Sequence, residues 1–494
     1  MKRKLIPSIF SGAFILITLA NSACQPLSVS SSAETQTVVA ATPTATDVPP
    51  TPMASRPIYA PGTLVDYTAQ TGDTLPALAA HFNTTINEIR EANPILPAVV
   101  TTLPPGLPMK IPIYYVPLWG NPYRILPDSL FVDGPAQTGF DTVAFVNNQP
   151  GWLKNYTTFA GEKNRTGGEV IDYVAITYSV SPRLLLALAE YQAGALTNPV
   201  LPDELSHYPL GVKDREHDGF YMQLVWAANE LNIGYYSWRE GTLSTITHLD
   251  GSIEHPDPWQ NAATVALQNY FSELLPVLDY QTAIYSDGLA KTYTALFGDP
   301  WSADQPNIPG SLSQPELTLP FSSGDTWAFT GGPHAAWGNG EPRAAIDFAP
   351  PSNVGGCGST TEFATAVAAG EIVRTDKAVA MLDLDGDGNE RTGWVILYLH
   401  LSSQDMIHQG VMVKAGDPIG HPSCEGGNAT GTHVHIARKY NGEWIPADGA
   451  LPFTLDGWVA QAGSQAYQGT LTKFGKIVVA SDTSNSNTLV TNSK

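Results

Sequence analysis

GWVILYLHL, residues 393–401, is a short apolar run that begins at a glycine and ends beside a histidine. Two similar runs flank it at 364–373 and 410–420, and glycines punctuate all three. Apolar runs of this length, separated by glycine, are typical of β-strands joined by tight turns. The pattern predicts a mainly antiparallel β domain over residues 305–460.

The same domain contains a set of metal-ligand residue types. His433 and His435 in the run GTHVH share one face of a strand, because successive side chains point to opposite faces. His334 in GGPH and Asp347 in AIDF precede them. His334, Asp347 and His435 form a donor set for catalytic zinc, with three protein ligands and a fourth position open for water. We expect one Zn²⁺ per chain at these three residues.

Four features of this domain resemble the lysostaphin-like zinc metallopeptidases, a family of peptidoglycan hydrolases. They are the strand and glycine pattern, the Tyr398-x-His400-Leu401 motif, the run VKAGDPIG at 413–420, and GTHVH at 431–435. The resemblance covers about 150 residues. It implies a metalloendopeptidase that cuts peptide cross-links or stems of the bacterial cell wall.

The first zinc ligand identifies a branch of that family. The commoner form has a His four residues before the Asp, where this chain has Arg343, and an arginine stays protonated and cannot bind zinc. The beta-lytic branch places its His about thirteen residues before the Asp within a Gly-Gly-Pro-His motif, and His334 stands thirteen residues before Asp347. Arg343 therefore indicates the beta-lytic branch.

The resemblance also implies roles for His400 and His433, opposite the zinc ligands. One is expected to act as general base, and the other to donate to the oxyanion of the tetrahedral intermediate; the sequence leaves the division open. An alternative function is a catalytically inactive cell-wall-binding scaffold or amidase activator. His408 and His421 match no catalytic position, and we expect them to be structural.

Residues 63–115 resemble a LysM domain. The resemblance is carried by the Gly72-Asp73-Thr74-Leu75 turn, by Asn93-Pro94, and by an ending formed from Leu103, Gly106, Ile111 and Pro112. Helical spacing of apolar residues after Asp73 or Thr74, either of which can cap, predicts a small βααβ module. LysM domains bind N-acetylglucosamine-containing polymers, chiefly peptidoglycan, which makes the wall polymer the expected partner.

Residues 116–304 are expected to form an all-α domain of unknown role, with helices at 183–195, 220–231, 262–275 and 282–296. Two segments faintly resemble lysozyme-like lytic transglycosylases. Gln192 stands where those enzymes have their catalytic Glu, and an amide cannot act as the acid. Glu190 is the alternative acid, although a Glu in a helix is more often a solvated surface residue.

The N-terminus predicts export. Residues 1–24 combine a basic start, a short apolar stretch and Cys24 in a lipobox-like ending, although Asn21 departs from the usual aliphatic residue. We expect a lipoprotein anchored to the membrane through Cys24, with plain signal cleavage as the alternative. Residues 25–62 are rich in Ser, Thr and Pro and should be a linker. The protein is thus placed in the cell envelope or outside the cell.

Cys357 and Cys424 are expected to form a disulfide, since exported proteins meet an oxidising compartment. The competing interpretations are two buried thiols or extra metal ligands. The formal net charge of −21 argues against a nucleic-acid partner.

The run DLDGDGN at 383–389 resembles the start of a calcium loop. An EF-hand has a Glu at the twelfth position of this loop, where this chain has Trp394. The alternative to a Ca²⁺ site is a solvated hairpin turn. The tail, residues 461–494, ends in a Ser, Thr and Asn rich stretch that we expect to be disordered.

Overall fold

A computed structural model describes residues 56–352, 355–483 and 485–493. The predicted export signal, Cys24 and most of the predicted linker lie outside the described residues. Within the described part of the chain, none of the helices combines the length and the apolar character that a membrane span requires.

Residues 63–113 form a compact βααβ unit. Its elements are β1 Thr63–Thr68, α1 Leu75–His81, α2 Ile86–Ala92 and β2 Pro108–Ile113, with β1 and β2 paired antiparallel. Thr74 is the N-cap of α1, while Asp73 instead accepts a hydrogen bond from the Tyr67 hydroxyl at 2.7 Å. Thr85 and Glu88 form a capping box that starts α2. The predicted βααβ order is therefore present.

The region that follows is mostly helical. Its helices are α3 Thr142–Asn147, α4 Gly167–Tyr178, α5 Pro182–Ala193, α6 Phe220–Arg239, α7 Ala262–Ser272, α8 Val277–Ala283 and α9 Leu289–Phe297. Two small hairpins interrupt them: β3 Thr157–Ala160 with β4 Lys163–Thr166, and β5 Ile246–Thr247 with β6 Ile253–Glu254. The expectation of an all-α domain is therefore wrong, because these two hairpins are β-structure. The helix predicted at 282–296 is also wrong, because a turn ending at Gly288 separates α8 from α9.

The C-terminal part is built from short strands, as the glycine-punctuated pattern predicts. They are β7 Thr326–His334, β8 Ala345–Ala349, β9 Ala364–Thr365, β10 Gly370–Asp376, β11 Val379–Asp383, β12 Trp394–Leu399, β13 Met412–Val413, β14 Pro418–Gly420, β15 Val434–Tyr440, β16 Glu443–Trp444, β17 Thr454–Leu455, β18 Trp458–Ala462, β19 Gly469–Lys473, β20 Lys476–Val479 and β21 Leu489–Thr491.

Nine of these strands form one antiparallel sheet. Its order is β13-β10-β11-β12-β15-β8-β7-β21, with β16 paired to β15 at one end. A second sheet has the order β17-β18-β19-β20, and β14 pairs with β9. The central strands of the large sheet are β12, β15 and β8, which carry or flank the predicted site residues.

Both faces of the large sheet are apolar and buried. Leu397 and Ala437, which are paired across β12 and β15, belong to a core shared with the helical region. The neighbouring pair, Tyr398 and Ile436, points to the other face and packs in a core with the C-terminal strands. The helical region therefore covers one face of the sheet, and the chain beyond residue 450 helps to cover the other.

The disorder predicted for the Ser, Thr and Asn rich end of the tail is wrong, because strand β21 lies within it. β19 and β20 form a hairpin, and β21 adds to the edge of the large sheet by pairing with β7. Leu471, Val478 and Val490 are no more than 1% exposed. Burial of these apolar side chains offsets the entropy cost of ordering a Ser, Thr and Asn rich segment.

The βααβ unit is docked against the rest of the chain. The His81 ring stacks on Trp238 at the end of α6, with centroids 3.5 Å apart and an interplanar angle of 8°. The Thr102 hydroxyl donates to the Pro309 carbonyl at 2.7 Å. Stacked rings and buried hydrogen bonds of this kind fix orientation, so the unit is packed onto the body and is not a free module.

A buried arginine joins three parts of the chain. Arg239, with a side chain 9% exposed, lies 3.2 Å from an Asp128 carboxylate oxygen and 3.0 Å from one of Glu443 in β16. Its guanidinium also donates to the Thr71 carbonyl in the βααβ unit. A buried ion cluster is costly to break, because the remaining charges stay buried without a partner.

We predict that Arg239→Leu lowers the free energy of unfolding by about 3 to 5 kcal/mol, because the Asp128 and Glu443 carboxylates lose their buried partner. Denaturant unfolding followed by tryptophan fluorescence measures this change. Arg215→Leu, at an exposed position, is the control and should change stability by less than about 0.5 kcal/mol. Equal unfolding midpoints for the two variants would contradict the role given to Arg239.

Candidate metal centre

Strand pairing brings the three predicted ligands together. Asp347 in β8 lies directly opposite His435 in β15. Strand β7 pairs with the other edge of β8, and irregularities in its register carry the chain from Gly331, opposite Asp347, to His334. A Cβ atom at Gly331 would lie 2.3 Å from Asp347 Oδ2. The glycine in the GGPH motif is therefore needed to make room for the carboxylate.

The donor atoms form a small triangle. His334 Nε2 lies 3.0 Å from His435 Nδ1 and 3.3 Å from Asp347 Oδ1, and His435 Nδ1 lies 3.4 Å from the same oxygen. A tetrahedral ion with ligand bonds of about 2.0 to 2.1 Å separates its ligand atoms by roughly 3.3 Å. The distances within the triangle match that spacing.

The two ligand histidines are oriented by backbone carbonyls. His334 Nδ1 donates to the Gly332 carbonyl at 2.8 Å, and His435 Nε2 donates to the Ala336 carbonyl at 3.1 Å. Each ring therefore carries its proton away from the triangle and presents a lone pair to it. Hydrogen bonds of this kind fix the tautomer and ring orientation of metal-binding histidines.

The surroundings of the triangle also fit a divalent cation. His334, Asp347 and His435 are at most 5% exposed, and Asp347 Oδ1 is buried without a hydrogen-bond donor. Two imidazole nitrogens and one carboxylate oxygen are a donor set that zinc prefers. The residues therefore fit zinc, and His334, Asp347 and His435 would hold it.

Electrostatics favour a charged Asp347. Burial alone would raise the pKa of this carboxyl, but the nearby His334, His435 and His433 rings hold it well below its usual range. Burial likewise opposes the charged form of His334, and the charge of Asp347 outweighs it and raises the pKa of the ring. Burial lowers the pKa of His435. One fixed negative charge thus lies at one corner of the triangle.

His400 and His433 lie beside the triangle as a pair of rings with centroids 4.5 Å apart. His400 Nδ1 donates to the Glu425 carbonyl at 2.7 Å, and His433 Nδ1 donates to the Gly431 carbonyl at 2.8 Å. The Nε2 atom of each ring is left as an acceptor. Burial, reinforced by His433, lowers the pKa of His400 to about 4, so its ring is neutral near pH 7.

Cys357 and Cys424 form the predicted disulfide, with Cα atoms 5.7 Å apart. The bond ties the loop at 355–358 to the loop that supports both catalytic candidates. In that second loop, the Ser423 N–H donates to the His400 carbonyl at 2.6 Å, and the Ser423 carbonyl accepts from the His433 N–H at 3.3 Å. The disulfide therefore supports the His400–His433 pair and does not contribute a metal ligand.

The triangle opens into a cleft of about 1460 Å³, and every described residue that lines it lies between 326 and 489. The tail forms one wall. Tyr467 stacks on His334 with centroids 4.1 Å apart, and its amide and carbonyl bond to the backbone at Pro333 and Gly332. Sequence reasoning missed Tyr467, because it lies in the tail, beyond the predicted metallopeptidase domain, and belongs to no recognised motif.

Two segments match known domain families. Residues 67–112 match the LysM domain, and residues 124–309 match the N-terminal domain of LasA. The first match covers the βααβ unit, and the second covers the helical region.

The chain is similar in sequence to protease LasA and to beta-lytic metalloendopeptidase. Protease LasA of Pseudomonas aeruginosa is 26% identical over 344 residues, which cover 66% of this chain and 76% of LasA. Beta-lytic metalloendopeptidase of Achromobacter lyticus is 29% identical over 168 residues, or 32% of this chain and 41% of that protein. The solved structure of the M23 metalloprotease pseudoalterin has a TM-score of 0.29 and 24% identity, and the match covers 34% of this chain and 96% of that one.

Several polar residues singled out in the sequence lie outside this centre. Glu190 accepts from the backbone N–H groups of Leu196 and Thr197, and Gln192 bonds to Tyr270 and Leu210. Both side chains therefore have structural contacts, and this region matches the N-terminal domain of LasA.

The acidic turn forms a separate cluster of Asp383, Asp385 and Asp387, in which backbone N–H groups satisfy Asp383. His408 is exposed, and His421 Nδ1 donates to the Glu362 carbonyl. These contacts agree with the structural role expected for His421.

We predict that the double variant Cys357→Ser/Cys424→Ser loses about 4 kcal/mol of stability, because the disulfide closes a loop of 67 residues. Zinc content should be retained, whereas the rate of substrate hydrolysis should fall, because the loop supports His400 and His433. Thermal unfolding measures the stability, and metal analysis measures the zinc content. The loss of turbidity of a peptidoglycan suspension measures the rate of hydrolysis. Loss of zinc with an unchanged unfolding temperature would contradict this assignment.

Proposed function

We propose that the protein is a zinc-dependent endopeptidase that hydrolyses peptide bonds in peptidoglycan. The single observation that carries the proposal is the triangle of His334 Nε2, Asp347 Oδ1 and His435 Nδ1, with His400 and His433 beside it in an open cleft. The named relatives, protease LasA and beta-lytic metalloendopeptidase, support the reaction class.

The triangle would hold the zinc ion and orient it toward the cleft. When bound, zinc supplies Lewis-acid chemistry, since it polarises a peptide carbonyl and makes a nearby water molecule more acidic. Asp347 supplies the one protein charge at the ion, which leaves the metal a strong Lewis acid.

The His400–His433 pair supplies the proton transfers. Since Nδ1 of each ring is held by a carbonyl, Nε2 of either ring can take a proton from water. The ring that has taken the proton then has an N–H group at Nε2, which can donate to the carbonyl oxygen or to the leaving amine. We infer that one ring acts as general base and that the other, when it also carries a proton at Nε2, donates to the oxyanion.

The LysM domain supports peptidoglycan as the polymer. A module that holds the glycan keeps the peptide near the cleft and raises its effective concentration. Its packing against Trp238 and Pro309 holds the module in one orientation relative to the body. We infer that the glycan is bound by the LysM domain and the peptide by the zinc site.

We propose that the protein acts outside the cytoplasm. The disulfide between Cys357 and Cys424 supports an oxidising compartment. Lipidation of Cys24, with the membrane as a second partner, remains part of this proposal and rests on the sequence of residues 1–24. A lipid anchor would favour the producer's own cell wall as the substrate.

We predict that wild-type protein contains about one zinc ion per chain and reduces the turbidity of purified peptidoglycan, whereas His435→Ala contains almost none and is inactive. Metal analysis and the turbidity assay measure both properties. His408→Ala removes an exposed histidine and should behave as wild type. Zinc-free wild-type protein without lytic activity would overturn the proposal and favour a wall-binding scaffold or amidase activator.

His400→Ala should separate catalysis from metal binding. Because His400 lies beside the triangle and is not part of it, we expect unchanged zinc content and a rate of hydrolysis lower by about 10² to 10⁴. Metal analysis and initial rates on peptidoglycan test this. If the variant lost zinc to the same extent as His435→Ala, His400 would be a ligand and its assignment to proton transfer would be wrong.

A further inference from the structure

The loop at 335–344 joins His334 to the strand that carries Asp347, yet its outer side packs on the helical region. The Asn339 N–H donates to Asn229 Oδ1 in helix α6 at 2.8 Å. Trp337 packs against the helical core. A Cβ atom at Gly338, whose φ is +70°, would lie 2.6 Å from Asn229 Oδ1. The loop and helix α6 therefore fit closely.

The inner side of the same loop touches a metal ligand. Ala336 is fully buried, and its carbonyl accepts from His435 Nε2 at 3.1 Å. Its N–H donates to the Pro342 carbonyl at 3.1 Å, which closes the loop on itself. The position of the Ala336 carbonyl thus fixes which nitrogen of His435 faces Asp347 and His334.

We propose that Asn229 is a positioning residue for the metal centre. Helix α6 holds the loop through Asn229, and the loop holds the His435 ring through the Ala336 carbonyl. The inference rests on the proposed zinc site. It gives the helical region a part in metal binding, although no described residue of that region lines the cleft.

The chemistry of the contact specifies the variants. Asn229→Asp keeps an oxygen that accepts from the Asn339 N–H, whereas Asn229→Leu keeps a similar volume and removes the acceptor. Loss of an outer partner of a metal-binding histidine lowers metal affinity by about 10 to 100 fold. The direct partner of His435 is the Ala336 carbonyl, and Asn229 acts through the loop, so we expect a smaller effect. The dissociation constant for zinc should rise by about three to ten fold in Asn229→Leu and stay within about twofold of wild type in Asn229→Asp.

The experiment measures zinc affinity in the full chain by competition with a chromophoric chelator, together with the visible spectrum of the cobalt-substituted protein. Glu230→Gln is the matched control, since Glu230 is the next residue of α6 and its charged neighbours are Glu273 and His217. We expect a changed cobalt spectrum for Asn229→Leu and an unchanged one for the control. Gly338→Ala, whose added Cβ would collide with Asn229 and so push the loop away from helix α6, should also weaken zinc binding.

Thermal unfolding of the metal-free proteins separates positioning from general stability. If Asn229→Leu unfolds at a lower temperature but binds zinc as tightly as wild type, Asn229 is only structural and the inference is overturned. If Asn229→Leu fails to fold, the zinc affinity of Gly338→Ala is measured in its place. An unchanged zinc affinity in that variant overturns the inference. If wild-type protein binds no zinc, the proposed function is overturned together with this inference. If wild-type protein binds zinc and is lytic but Asn229→Leu has normal zinc affinity, only the role of Asn229 is wrong.

Discussion

In the pairing of β8 with β15, Asp347 lies directly opposite His435, and the proposed chemistry depends on this register. Residues opposite one another in an antiparallel pair point to the same face, with Cβ atoms about 4.5 to 5.5 Å apart. A slip of one residue would turn one of the two side chains to the other face and separate the ligands. Both strands lie inside the sheet, between β12 and β7, so neighbours on each side hold the register.

The sheet can hold this register because both of its faces are buried. One face packs on the helical region, and the other packs on the C-terminal strands. The site lies where this well-packed sheet ends in loops, and each loop is tied down separately. The Cys357–Cys424 disulfide ties the loop near His400 and His433, and helix α6 ties the loop near His435. Rigid strands with braced loops keep the polar groups in place before an ion or substrate arrives.

The sequence was informative where local pattern and chemistry agree. Apolar runs between glycines identified the sheet, and the thirteen-residue spacing selected His334 and Asp347 as candidate ligands, which the structure brings together. It was misleading where distant contacts decide the outcome. The tail is ordered because Leu471 and Val490 are buried by strands far away in sequence, and Tyr467 reaches His334 only through that order. Asn229 could not be identified for the same reason, since its contact with the loop is tertiary.

The central claim is that the chain hydrolyses peptide bonds of the wall through the His334, Asp347 and His435 site. Mass spectrometry of the fragments released from purified peptidoglycan tests it most directly, since the mass of each fragment identifies the bond that was cut. We expect fragments with new peptide termini on intact glycan strands, and their absence when the metal is removed by a chelator. Fragments cut within the glycan, or at the bond joining glycan to peptide, would contradict it.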